Sequence, residues 1–308
     1  MSLRLRAEKK EELLMKILIY GAGVIGSLYA VYFSHAGYSV SVYARGHRLN
    51  VLKEKGLLYL EKGHMKKVRV SVLDKIKPDD CYDYIFLTVQ EKHLHTALQE
   101  LADNCSPTIV TMVNSIEPYE KWEYICGQGR ILPAFPGAGG SIKDDVLDAA
   151  LTPRLIQPTT FTEPDGQVSE RVRTLEKIFR KAKIPTQVVP DMHAWQICHL
   201  AMVVPLADAY YMSAHPESAH CDPKIMRQTA QAMQDGFRKL KAMGVTISPA
   251  KMHIFRLCPV SVIAAVLPLV YRSSFGNRFM YQHAMKAQEE MDTLHKRFYS
   301  FLHEGGAL

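Results

Sequence analysis

Lys16-Ile-Leu-Ile-Tyr-Gly-Ala-Gly-Val-Ile-Gly26 is the stretch that decides the reading of this chain. Its first five residues form a short apolar strand that runs directly into glycines spaced GxGxxG. Residues 24–36 then carry apolar groups at helical spacing, and Gly37 supplies a stop signal. Ser39 to Tyr43 alternates as a strand does, so strand, helix and strand follow within about thirty residues. In that setting each glycine has its own reason. Gly21 allows the tight turn, Gly23 lets the backbone approach a pyrophosphate, and Gly26 lets helix and strand pack closely. The phosphates would lie on the helix N-terminus, where unpaired amides and the helix dipole favour an anion. Gly21, Ala22, Gly23, Val24, Ile25 and Gly26 are therefore the candidate cofactor loop. No Lys-Ser/Thr follows, so the loop is not a P-loop.

The kind of dinucleotide is decided after the second strand. NAD-binding units place Asp or Glu about twenty residues past the glycines, to accept from the ribose 2′-hydroxyl. From Ser27 through Lys53 this chain contains no acidic residue and offers Ala44-Arg45-Gly46-His47-Arg48 instead. Arg45 can make bidentate contacts to a 2′-phosphate, and Arg48 adds positive field. NADP(H) is the expected cofactor. Two solvated arginines at a helix start are the plainer alternative.

Further along, a hairpin is expected over 57–60 and 67–72, strands at 84–89 and 108–113, and a helix near 94–102. Strand-like pieces follow around 130–134 and 154–161, with the turn signal Pro164-Asp-Gly166, a helix at 168–182 and the strand Thr186 to Val189. After Pro190 strand signals nearly vanish. Residues 191–212, 223–243, 249–270 and 275–303 read as helices, with breaks at Pro205, Gly244 and Pro268. The predicted fold is α/β, a Rossmann-type doubly wound sheet followed by an all-α C-terminal domain. Its parts are a disordered or tag-like leader over 1–14, a dinucleotide-binding domain over 15–189 and a helical substrate or dimerisation domain over 190–308.

Composition limits the remaining classes. A chain of 308 residues, 47% hydrophobic and 22% charged, has the material for two packed domains. The net charge of +7 is scattered, which fits an anionic small-molecule partner better than a nucleic-acid stripe. No two of the six cysteines lie closer than 21 residues, so no metal-ligand spacing exists and reduced cytosolic thiols are expected. The first fourteen residues lack the apolar stretch of a signal peptide, and the run Pro259 to Tyr271 is too short to span a bilayer.

The GAGxxG start, Arg45 after the second strand and the all-helical second half together resemble the ketopantoate reductase (2-dehydropantoate 2-reductase) family. Tyr84-Ile-Phe-Leu-Thr-Val-Gln90 resembles the family's strand leading to a cofactor-side lysine, with Gln90 in the lysine's place. Val113-Asn114-Ser-Ile-Glu-Pro resembles its Asn-Gly-x-Gly turn, keeping Asn114. Phe135-Pro-Gly-Ala-Gly-Gly140 occupies its next loop, and Ala194-Trp195 opens its first C-terminal helix. The resemblance implies that Asn114 sits near the nicotinamide and hydrogen-bonds a ketone or hydroxyl. It also implies that Ser274 and Asn277 contact substrate; helix capping is the competing role for both.

A second departure lies at the chemistry. Two residues after the tryptophan the family has a lysine that protonates the ketone oxygen, and this chain has Ile197. No lysine lies between Lys183 and Lys224. Hydride delivery to a ketone needs a proton donor, so the candidates are His193 and His199. His193 lies one helical turn before Ile197 on the same face; His199 faces away unless Leu200-Ala201 sets the register. The expected function is an NADPH-dependent reductase of a small 2-keto acid, cytoplasmic and by resemblance placed in pantothenate biosynthesis. The alternatives are a catalytically impaired NADP(H)-binding relative and a reductase of another small hydroxy acid. Expected partners are the keto acid and, in a homodimer, a second copy of the chain; no nucleic acid, membrane or metal is expected.

Overall fold

The computed structural model describes residues 15–306, and the leader expected over 1–14 lies outside the described residues. The chain forms two compact units. One holds the described residues up to Asn114 together with Tyr119–Pro190; the other holds Ser115–Pro118 and the described residues from Asp191 onward.

The first unit opens with β1 (Lys16–Tyr20), α1 (Val24–His35), β2 (Ser39–Tyr43) and α2 (Gly46–Lys55). Gly37, with φ of 85°, takes the left-handed conformation that ends α1. Next come β3 (Leu57–Glu61), β4 (His64–Val68), β5 (Ser71–Leu73), β6 (Tyr84–Leu87) and α3 (Leu94–Glu100). They are followed by β7 (Ile109–Thr111), α4 (Tyr119–Cys126), β8 (Ile131–Phe135), β9 (Ala138–Lys143) and β10 (Val146–Leu151). The unit closes with β11 (Thr159–Phe161), α5 (Glu170–Lys181) and β12 (Thr186–Val188).

The main sheet has the order β12-β11-β8-β7-β6-β1-β2-β5. Strands β5, β2, β1, β6, β7 and β8 are all parallel, which is the doubly wound order with its switch point beside β1. Ile17, Ile19, Val42 and Phe86 join one core with Phe33 of α1 and Phe179 of α5. The alternate residues Leu18, Ile85 and Leu87 point to the other face and are equally buried. Both faces are therefore covered, as a parallel sheet requires. The Rossmann-type expectation holds.

Several local expectations need correction. The hairpin pairs Leu57 with Val68 across Lys62-Gly63, two residues with positive φ that suit a tight primed turn. Residues 71–73 leave it and pair with β2 in the main sheet. The strand expected over 154–161 shortens to β11, because Ile156 and Gln157 turn back onto the Pro153 carbonyl. A second sheet, β4-β3-β10-β9, contains the unexpected hairpin β9–β10. The expectation of six reduced thiols is corrected at Cys81 and Cys105, which form a disulfide with Cα atoms 5.4 Å apart. They precede β6 and β7, and the parallel pairing of those strands brings the two loops together.

The second unit consists of α6 (Met192–Met212), α7 (Pro223–Ala242), α8 (His253–Leu257), α9 (Val260–Arg272), α10 (Gln282–Lys286) and α11 (Gln288–His303), with a π-helical turn over Gly276–Tyr281. No strand occurs among the described residues after Val188. The Asp191 carboxylate caps α6 by accepting from the Ala194 amide at 2.8 Å. Pro205 and Pro268, read as breaks, lie inside α6 and α9. An interior proline costs about 3 kcal/mol. The apolar burial of α6, with Leu200, Ala201 and Val204 fully enclosed, outweighs that cost. The helix expected over 275–303 is divided at Ala287. Among the described residues no single helix is long and apolar enough to cross a membrane, and no group of three or more His, Cys, Asp or Glu side chains is placed to hold a metal ion.

Candidate active site

The loop between β1 and α1 shows what each glycine excludes. Gly21 has φ of 110°, and a Cβ there would stand 2.8 Å from the Thr88 carbonyl. A Cβ on Gly26 would stand 2.0 Å from the Gly21 carbonyl and 2.8 Å from Cγ2 of Ile19. A Cβ on Gly23 would meet nothing within 4 Å. Gly23 therefore borders open space at the helix N-terminus, and no acidic residue occupies the first turn. Thr88 Oγ1 donates to the Gly21 carbonyl at 2.9 Å and holds the turn from the neighbouring strand. These features fit a dinucleotide: the free first-turn amides of α1 face a space that an anion can enter.

Arg48 braces this loop. Its Nε donates to the Ala22 carbonyl at 3.2 Å, its Nη2 to Ser27 Oγ at 3.3 Å and its Nη1 to the Asp145 carbonyl at 3.0 Å. Asp145 lies at the tip of the β9–β10 hairpin, where His47 and Lys55 hold its carboxylate and keep it below the usual carboxylate range. The second sheet thus docks onto α2 and fixes the arginine. Arg48 is committed to structure.

Arg45 follows β2 after Ala44 and caps α2, close to where the sequence placed it, but it has company the sequence did not reveal. Its Nε donates to the Tyr43 hydroxyl at 2.9 Å, and its Nη2 to the Tyr20 hydroxyl at 2.8 Å. The same Nη2 reaches both carboxylate oxygens of Glu100 at 2.6 Å. Tyr20 also donates to Glu100, and burial, reinforced by that carboxylate, pushes the Tyr20 phenol up. Glu100 ends α3, 55 residues after Arg45, and no local pattern marks it.

The remaining candidates separate by environment. Gln90 is exposed just before the first turn that leads into α3. Asn114 is half-buried past β7, with its Oδ1 enclosed and without a hydrogen-bond partner. Ser274, just before the π-helical turn, and Asn277, within it, are exposed, and Asn277 Oδ1 accepts from Gln282 at 3.2 Å. Ile197 is only 2% exposed and belongs to the apolar core of the helical unit. His199 stacks on Trp195 with ring centroids 5.2 Å apart. Burial, with His283 adding to it, pushes the His199 imidazole down to about 3, so it is neutral at pH 7. His193 is half-buried, and its Nε2 lies 2.9 Å from the Ile116 carbonyl. A carbonyl only accepts, so Nε2 carries the proton of that bond.

Comparison with known proteins agrees with this geometry. The family model of ketopantoate reductase PanE/ApbA matches residues 17–145. A 2-dehydropantoate 2-reductase from Mesorhizobium japonicum is 30% identical over 206 residues, covering 58% of this chain and 61% of that protein. The chain matches about three fifths of the length of such curated relatives. Among solved structures, the 2-dehydropantoate 2-reductase of Geobacter metallireducens has a TM-score of 0.71 at 13% identity, over 96% of this chain and 95% of its own. A D-mandelate dehydrogenase solved with NADH and anilino(oxo)acetate has a TM-score of 0.61 at 14% identity, over 96% and 100%. Through the domain at residues 17–145, which holds the glycine loop and Arg45, the chain is similar to members of the ketopantoate reductase family.

Proposed function

We propose that the protein is an NADPH-dependent reductase of a small 2-keto acid. The observation that carries this reading is the β1–α1 loop, with Gly23 bordering open space and Arg45 at the end of β2. The first-turn amides of α1 bind the pyrophosphate, and Arg45 pairs with the 2′-phosphate. A reduced nicotinamide, when bound, supplies hydride. Asn114 offers its Nδ2 amide to the substrate's ketone oxygen, and its enclosed Oδ1, without a protein partner, accepts from the hydroxyl of the reduced product. His193 is the proton donor, acting in its doubly protonated form, with the Ile116 carbonyl orienting its ring through Nε2. His199, neutral and stacked in the core, does not serve. The same reading takes the assembly as a homodimer, supported by exposed apolar side chains on α8 and α9, among them Ile254, Leu257, Val262 and Leu269.

Consumption of NADPH with a panel of 2-keto acids, 2-dehydropantoate included, tests the reading. Steady turnover with any of them supports it. Binding of NADPH with no turnover across the panel supports a second reading, a catalytically impaired NADP(H)-binding relative. One observation favours that alternative: Ile197, at the family's lysine position, is sealed in the apolar core. If Ile197→Lys creates 2-dehydropantoate turnover in an otherwise inert protein, the second reading stands and the role of His193 falls.

A further inference from the structure

Glu100 is placed with care for a residue whose role nothing so far explains. The segment after it is tied down by Arg130, which donates to the carbonyls of Leu101 at 3.0 Å, Asn104 at 2.7 Å and Ser106 at 3.1 Å. The end of α3 is therefore rigid, and it presents the Glu100 carboxylate to the Arg45 guanidinium. Tyr20 and Tyr43, which end β1 and β2, complete a square of hydroxyls and charges around that contact. Arg45 spends Nε and Nη2 on these partners, and Nη1 makes none of the bonds.

A phosphate that pairs with Arg45 must either displace Glu100 or share the guanidinium with it. Two anions on one guanidinium lie about 5–6 Å apart, where a carboxylate and a phosphate repel even through water. A ribose 2′-hydroxyl meets no such repulsion, because a carboxylate accepts its hydrogen bond. The same arginine that attracts the 2′-phosphate is thus held by a group that penalises it.

We propose that Glu100 is a cofactor-specificity residue, weakening 2′-phosphate binding at Arg45 and narrowing the preference for NADPH over NADH. The proposal rests on the reading that Arg45 faces the adenosine 2′ position. Two carboxylate–phosphate charges at the separation above amount to about tenfold in affinity.

Calorimetric titration with 2′,5′-ADP and with 5′-AMP tests this without nicotinamide chemistry. In Glu100→Gln, which keeps the shape and removes the charge, 2′,5′-ADP should bind about tenfold more tightly, while 5′-AMP stays within about twofold. Glu100→Ala should shift the ratio in the same direction and serves if the first variant misfolds. Unchanged or weaker 2′,5′-ADP binding in both variants overturns the proposal. Arg45→Ala separates the two levels. If it leaves the 2′,5′-ADP to 5′-AMP ratio unchanged, the Arg45 reading fails and Glu100 fails with it. If the ratio responds to Arg45 and ignores Glu100, only the inference about Glu100 fails.

Discussion

The β1–α1 loop and helix α6 carry the two halves of the proposed function, one for cofactor and one for chemistry, and they are built differently. At the loop, the proposed binding rests on backbone amides and on side chains that are absent, and Gly21 and Gly26 each have a geometric reason in this chain. At α6, the resemblance would place the proton donor on one side chain, and Ile197, which stands at that position, lies in the core. A backbone cradle is held by the fold that builds it, because Gly26 cannot gain a Cβ without moving β1. A catalytic side chain has no such protection, since an isoleucine packs better in a buried position than a lysine. Binding and catalysis can therefore part company in one chain.

The largest expected effect tests the weaker side of that comparison. If His193 has taken over proton donation, His193→Ala lowers turnover with the best 2-keto acid by about 10²–10⁴-fold, while NADPH affinity persists. His199→Gln leaves turnover at pH 7 within about threefold, since the buried ring is neutral there. Equal losses in both variants would show that neither acts as the specific donor.

The loop side is sharpened by contrasting two glycines. Gly26→Ala forces a Cβ against backbone and should lower both the melting temperature and NADPH affinity, the latter by about a hundredfold. Gly23→Ala has room in the protein, so the melting temperature should stay put while affinity falls by at least about tenfold. A Gly23→Ala protein that binds NADPH normally would remove the dinucleotide from this loop. Arg45→Ala comes next: it should erase most of the NADPH preference, a charge-assisted pair worth roughly 1.5–3 kcal/mol, with NADH affinity nearly unchanged. Fluorescence titration of both cofactors measures it.

The smallest effect at neutral pH is one of stability. His199 titrates near 6.5 when unfolded and near 3 when folded. Below pH 6.5 the unfolded chain takes up a proton that the folded chain refuses, so stability present above 6.5 is lost as pH falls toward 3. The slope is about 1.4 kcal/mol per pH unit for this single group. Urea unfolding between pH 7 and pH 4.5 should show His199→Gln losing less stability than the parent protein. Parallel curves for the two proteins would place the ring in contact with water.

Local pattern was sufficient where structure is local. Apolar residues at strand spacing, three glycines and the Gly37 stop settle β1, α1 and β2, because the same few residues form the strand, the turn and the helix cap. The absence of strand alternation after Pro190 likewise settles the helical unit. Tertiary structure decided the rest, for identifiable reasons. The β9–β10 hairpin passes through Gly139 and Gly140 and has little alternation of its own; it is stabilised by pairing with β3 and by contact with α1. Pro205 and Pro268 stay within helices because burial along their length offsets a missing hydrogen bond. Cys81 and Cys105 meet because two parallel strands align the loops before them. Arg45 and its glycine loop were legible from sequence, and Glu100 was not. A motif records what a segment needs from its own backbone, whereas the charge opposite an arginine is set by which helix the sheet brings beside it.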